Sequence, residues 1–291
     1  MGSKEQQRSH IYNNVDFYCG WCAGCIETII LFPQSKLIFR QQLFGLAVKD
    51  AVTQLKSEGM GLLYRGLLPP LIMRTSTRSI MFGAFDKYKG LLNAQDRPGI
   101  ASSLTKRHAV AAFLAGCTEA TLCPLERIQV LLQTHHYHGH FKNTKEAIKY
   151  VYGFGIHEFY RGLSLVVLRN GLSNSLFFTL REPLRLLFIE KLNLQKSSMS
   201  AATFISNFVS GAILGASIST LFFPVNVVKH RLQSELGTTF QSPIRVFRMV
   251  WEERNRSLKG LFRGVQMNFT RSLIAWGITN SVYEFLLEAF R

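Results

Sequence analysis

Three arginines occupy matching places in this sequence, and arginine is suited to gripping anionic oxygens. The count starts from an aromatic-Arg-Gly triplet that occurs as "YRG" at 64–66, "YRG" at 160–162 and "FRG" at 262–264. Seven residues past its glycine come Met73, Arg169 and Arg271, and eight past come Arg74, Asn170 and Ser272. Each lies about two turns into an apolar stretch, where an ionisable side chain is expensive and by default marks a functional site. Arginines held at one level of a bundle repel each other, and an anion between them relieves that repulsion. The planar guanidinium fork suits phosphate oxygens, often bidentately. Glu119, in "GCTEATLCP" five residues before Pro124, adds a carboxylate in apolar surroundings. Together these residues point to a phosphorylated ligand that also offers hydroxyls or a positive group. The plainer reading of each arginine is a structural partner, such as Glu119 or a backbone carbonyl.

The elements that carry these residues read as membrane helices. Hydrophobic residues make up 47% of the 291, charged residues 18%, and the net charge is +16. Apolar stretches of spanning reach recur at about 17–33, 67–85, 108–124, 163–180, 204–224 and 265–283. A bilayer core takes about 20 apolar helical residues. Glycine, proline and an occasional charge interrupt these stretches, which suits a bundle with a wet interior. The basic residues are spread among apolar spans, which argues against a nucleic-acid partner. There is no Walker A loop, zinc protease motif or strand-flanked Gly-rich fingerprint, so no enzyme and no cofactor are expected. "MGSKEQQRSHIYNN" reads as a polar tail without a cleavable signal. Cys19, Cys22 and Cys25 lie among small residues and read as packing positions. The tract His135 to His140, "HHYHGH", has no carboxylate or cysteine nearby in the sequence. It reads as a loop, and no metal is expected.

Internal repetition organises the whole chain. "FPQSKLIFRQQ", "CPLERIQVLLQ" and "FPVNVVKHRLQ" align, placing Pro33, Pro124 and Pro224 in register at expected helix kinks. Nine residues after each proline stands Gln42, Gln133 or Gln233. Thirteen and nine residues before each come Gly20 and Gly24, Ala111 and Ala115, and Gly211 and Gly215, a spacing that lets membrane helices approach closely. The expected organisation is a tail at 1–14, repeats at 15–93, 107–193 and 203–291, and linkers at 94–106 and 194–202. Helix, polar segment, helix in triplicate makes an all-α membrane protein with six transmembrane helices.

On these motifs the chain resembles the mitochondrial carrier family over nearly its whole length. That family's signature is Pro-x-acid-x-x-base at the end of each odd helix, followed by an aromatic-basic-Gly. The resemblance implies three tandem repeats with pseudo-three-fold symmetry around a central cavity. It also implies alternating access, the mitochondrial inner membrane, and both termini on the intermembrane-space side. The stretches "YRGLLPPL", "TEATLCPLERIQVLLQ", "RNGLSNSLFF" and "RSLIAWGITN" resemble the branch that moves NAD. In that branch the positions of Arg74, Glu119, Arg169, Asn170 and Arg271 line the substrate site, with Arg74 standing where lysine is expected. NAD suits the set, having a pyrophosphate, ribose hydroxyls and a cationic ring. The alternatives are another anionic nucleotide or cofactor, such as an adenine nucleotide or coenzyme A, or a non-transporting receptor or scaffold. Arg78 and Trp276 are further candidate contacts, for phosphate and for base stacking, with lipid-facing or packing roles as the alternative. The other expected partner is membrane lipid, anionic lipid such as cardiolipin included, around a monomer.

The resemblance also implies two rings of ion pairs as gates. On the matrix side the ring positions are Ser35 with Gln129, Glu126 with Lys229, and Asn226 with Ile38. Only Glu126–Lys229 keeps opposite charges, and Gln42, Gln133 and Gln233 are candidate braces. On the cytoplasmic side the expected pairs are Lys89–Glu182 and Arg185–Glu284, while Asp86 faces Leu287 and lacks a base.

Overall fold

The computed structural model describes residues 2–92, 106–191 and 199–290, with side chains from 18 in the first stretch and from 208 in the third, apart from those of 60, 74, 75, 78, 191, 287 and 290. The expected linkers fall almost wholly outside these residues. Helix α1 spans Gly2–Phe44, so the polar segment 2–14 is helical and continuous with the first span. Helix α2 spans Val48–Ser57 and α3 spans Leu68–Leu91. The second repeat holds α4 (Lys106–Glu119), α5 (Cys123–Gln133), α6 (Thr144–Tyr152) and α7 (Leu163–Lys191). The third holds α8 (Met199–Leu221), α9 (Phe223–Ser234), α10 (Pro243–Glu253), the single turn α11 (Leu258–Leu261) and α12 (Val265–Phe290).

The long helices form a closed ring. α1 packs on α3, α3 on α4 and α5, α4 on α7, α7 on α8, α8 on α12, and α12 returns to α1. Among the described residues, Tyr18–Phe44, Lys106–Gln133 and Ile156–Glu190 are long and apolar enough to cross a membrane. Phe208–Leu221 with Phe223–Ser234 makes a bent fourth span. α3 and α12, of 24 and 26 residues, sit at the other two expected stretches. At about 1.5 Å per residue both exceed a 30 Å hydrocarbon core. Ile30, Ile72, Leu172, Leu221 and Ile274 are exposed around the outside, as a lipid-facing belt requires and as a water-facing surface rarely allows.

The three prolines act unequally. Pro124 and Pro224 each occupy the second residue of a new helix, where the missing N–H is tolerated. A 3₁₀ turn at Ala120–Leu122 precedes α5, and the α8–α9 break bends the span by 58°. Pro33 lies inside the uninterrupted α1, so the first copy carries its proline without the break seen in the other two. A proline removes one N–H and crowds one carbonyl, so it can leave a helix continuous where packing holds both flanks. α1 is held in this way by α12 and α3.

The small-residue stripe also divides by repeat. In the second, Ala111 and Ala115 are fully buried, and a Cβ on Gly116 would stand 2.5 Å from the Asn170 backbone. In the third, a Cβ on Gly211 or Gly215 would stand 2.9 or 3.2 Å from the Trp276 indole. Gly20 and Gly24 have no such neighbour within 4 Å.

Candidate functional site

The odd-helix segments after the prolines converge. α5 packs on α9, and α9 packs on α1. Above this floor lies a cavity of about 240 Å³ whose lining includes Arg169 from α7 and Arg271 from α12. Pro70 of α3 joins them one turn before position 74. Arg74 and Arg78 fall on α3, but their side chains lie outside the described ones. Arg169 Nη1 donates to Asn170 Oδ1 at 2.8 Å, while its Nε is buried and makes no hydrogen bond. Glu119 stands at the α4–α7 interface, where Asn174 Nδ2 donates to its Oε2 at 3.1 Å. Trp276 lies over the glycines of α8, with its indole against Gly211 and Gly215.

Every expected matrix-gate position except Glu126 lines this cavity: Ser35, Ile38, Gln129, Asn226 and Lys229. Lys229 donates to Glu126 across repeats, and both side chains are largely buried. Ser35 instead turns its hydroxyl to Leu31 O, 2.9 Å away on its own helix. Ile38 joins an apolar cluster with Phe223, Val227 and Val228. Gln42 and Gln133 line the same cavity, and Gln233 Nε2 lies 3.9 Å from Cys123 Sγ.

A second layer of charge lies below the floor. In the first repeat Arg40 pairs with Glu58, both almost fully buried. In the second, Glu158 joins Arg127 at 3.0 Å and Arg161 at 3.2 Å. In the third, Arg231 pairs with Glu253 at 3.0 Å. The aromatic-Arg-Gly triplets then close a circle that alignment alone did not explain. Arg65 donates to the carbonyls of Tyr137, His138 and Phe141 in the second repeat. Arg161 donates to Thr238 Oγ1 and Thr239 O of the third, at 2.7 and 2.8 Å. Arg263 donates to Gly45 O of the first, at 2.7 Å. The glycine after each arginine has φ of +85°, +80° or +99° and abuts Leu132 and Gln133, Gln233, or Gln41. A left-handed backbone and this close approach both exclude a side chain there. The equal spacing of the triplets was the available signal for this role.

The opposite end is built differently. Arg185 donates to both carboxylate oxygens of Glu182, three residues earlier on its own helix, with Nε at 3.0 Å from Oε2. Glu284 is exposed on α12. An i,i+3 carboxylate is reachable without bringing two helices together. Lys89 is partly buried on α3, Asp86 is exposed, and Phe85 stacks on Phe178 with ring centroids 3.9 Å apart. The side chain of Leu287 lies outside the described ones. All five cysteines are free thiols.

The histidine tract has a carboxylate neighbour that the linear sequence conceals. Glu58 of the first repeat meets His135 and His138 of the second, with one ligand atom from each lying within 4.8 Å of the others.

A ring of membrane-length helices around a polar cavity, shut at one end by an inter-repeat ion pair, defines a membrane transporter. The chain belongs to the mitochondrial carrier family: the family profile described as "Mitochondrial carrier protein" matches residues 9–96, 102–192 and 200–291. It is 46% identical over 290 residues to a human protein named mitochondrial nicotinamide adenine dinucleotide transporter, covering 98% of this chain and 94% of that one. A mouse protein of the same name is 44% identical, covering 94% and 88%. Human solute carrier family 25 member 53 is 30% identical, covering 92% and 85%.

Proposed function

We propose that this protein is a multi-pass carrier of the mitochondrial inner membrane that moves NAD into the matrix by alternating access, without covalent chemistry. The observation that carries the reading is near-full-length 46% identity to a named NAD transporter. Arg169 and Arg271 on the wall of the cavity supply charge suited to a pyrophosphate. Arg74, Glu119 and Asn170 complete the substrate site, with Arg74 as the third cation and Glu119 and Asn170 recognising hydroxyls or the cationic ring. Arg78 is a further phosphate contact. Both termini face the intermembrane space, as an even number of spans permits. The protein acts as a monomer, and anionic lipid such as cardiolipin is the lipid partner that its net charge of +16 favours.

The described conformer, with the Lys229–Glu126 pair formed and Arg185 turned to its own helix, is closed on the matrix side. Substrate shifts it only by binding one state more tightly than the other. Uptake of labelled NAD into proteoliposomes, compared with ATP and coenzyme A, tests the substrate. NAD should be taken up in preference to both. Arg169→Ala and Arg271→Ala should each lower NAD uptake at least tenfold, as expected from losing a charged hydrogen bond of about 1.5–3 kcal/mol. Uptake of another nucleotide but not NAD refutes the substrate, and normal uptake by both variants refutes the site.

A further inference from the structure

We propose that Glu58, His135 and His138 form a divalent transition-metal site, suited to Zn²⁺, that bridges the first and second repeats beside the matrix-side floor. Three donors come together here from distant parts of the chain. His135 opens a 3₁₀ turn, His135–Tyr137, and His138 follows as its cap. In 3₁₀ geometry side chains at i and i+3 eclipse, so the two imidazoles stand on one side of the turn, with ring centroids 5.2 Å apart. Glu58 caps α2 and points its carboxylate at them, placing Oε1 at 3.7 Å from His135 Nε2.

Two of these ligand atoms have no other use. The Glu58 side chain is only 4% exposed; its Oε2 is committed to Arg40, and its Oε1 is buried without a hydrogen bond. The Nε2 of His138 is likewise buried and without a hydrogen bond. A buried carboxylate oxygen and a buried ring nitrogen left without partners are unusual, since such groups normally find one. A cation between them satisfies both. His135, with 59% of its side chain exposed, is the third ligand and the point of entry. Two imidazoles and a carboxylate with an open fourth position is an established zinc donor set.

Burial and the nearby Arg65 charge push the His138 imidazole down to about 4. Lys36, Arg40 and Arg65 oppose a dication here, so the site is weaker than a closed structural zinc centre. Their charges are partly spent, however. Lys36 donates to Leu62 O, Arg40 pairs with Glu58, and Arg65 is committed to three carbonyls of the same loop. Those bonds also hold the turn that carries both histidines. The corresponding loops of the other two repeats, around Gly237 and Gly45, contain no histidine. A bound ion would tie the ends of two repeats together and favour the conformer with a closed floor.

The test is Zn²⁺ binding to the tag-free, purified full-length protein, read by competition with a chelating indicator and by a rise in thermal stability. One ion should bind per chain. His135→Ala, at an exposed position, should weaken binding at least about tenfold and abolish the thermal shift, in line with the loss caused by disturbing a zinc site. His138→Ala should do the same, and His136→Ala and His140→Ala should retain binding. Mg²⁺ should give no shift, because hard cations prefer oxygen ligands. The proposal is overturned by absence of Zn²⁺ binding, by binding that survives His135→Ala, by equal losses in the His136 and His140 variants, or by Mg²⁺ binding as well as Zn²⁺. Because the readout is metal binding, these outcomes leave the NAD reading untouched.

Discussion

The two ends of the barrel hold their charges in opposite ways. At the proline end intra-repeat pairs such as Arg40–Glu58 and Arg127–Glu158 are joined by contacts that cross repeat boundaries: Lys229 to Glu126, and Arg65, Arg161 and Arg263 each to the repeat that follows. These groups are mostly buried, where charge pairs are weakly screened and unpaired charges are expensive. At the far end Arg185 takes its partner from its own helix, and Glu182 is 40% exposed. The difference separates buried pairs held between repeats from a half-exposed pair made within one helix. A carrier needs such a difference in each state, and the ends should exchange roles when it turns over.

The largest expected effect comes from breaking the floor. Lys229→Ala leaves Glu126 unpaired in a largely buried position and should destabilise this conformer by about 3–5 kcal/mol. Thermal denaturation in detergent would show a clear drop in Tm; no drop would mean that the pair does not hold this face. Next comes Arg65→Ala, which removes a charged donor from three loop carbonyls. The expected loss is about 1.5–3 kcal/mol, with faster proteolysis of the 134–143 loop as an independent readout. The smallest effect belongs to Arg185→Ala. An i,i+3 pair this exposed contributes about 0.5 kcal/mol or less, so Tm should barely move. A large fall there would erase the contrast between the ends.

Much of the fold was legible because it repeats. Proline, glutamine and aromatic-Arg-Gly recur in register, and three copies of one pattern leave little freedom in helix number or order. Arg169 and Arg271 were legible for the same reason, and both line the cavity. Trp276 shows what spacing leaves open, because an aromatic ring on an apolar helix looks alike from either side. Only the neighbouring α8 glycines reveal which side it faces. Pro33 has the same sequence context as its two counterparts, yet it sits in an unbroken helix.

The sequence by itself determined the periodic features: six helices, three repeats, and charges placed at repeating depths. These follow from local hydropathy, from backbone rules at proline and glycine, and from spacing, all of which are encoded close to where they act. Only the tertiary structure decided which partner each charge takes. Glu58 and His138 lie eighty residues apart in the chain and meet only because the ring packs the first repeat against the second. Long-range juxtaposition of this kind depends on how whole helices pack, and no local pattern in the sequence carries it.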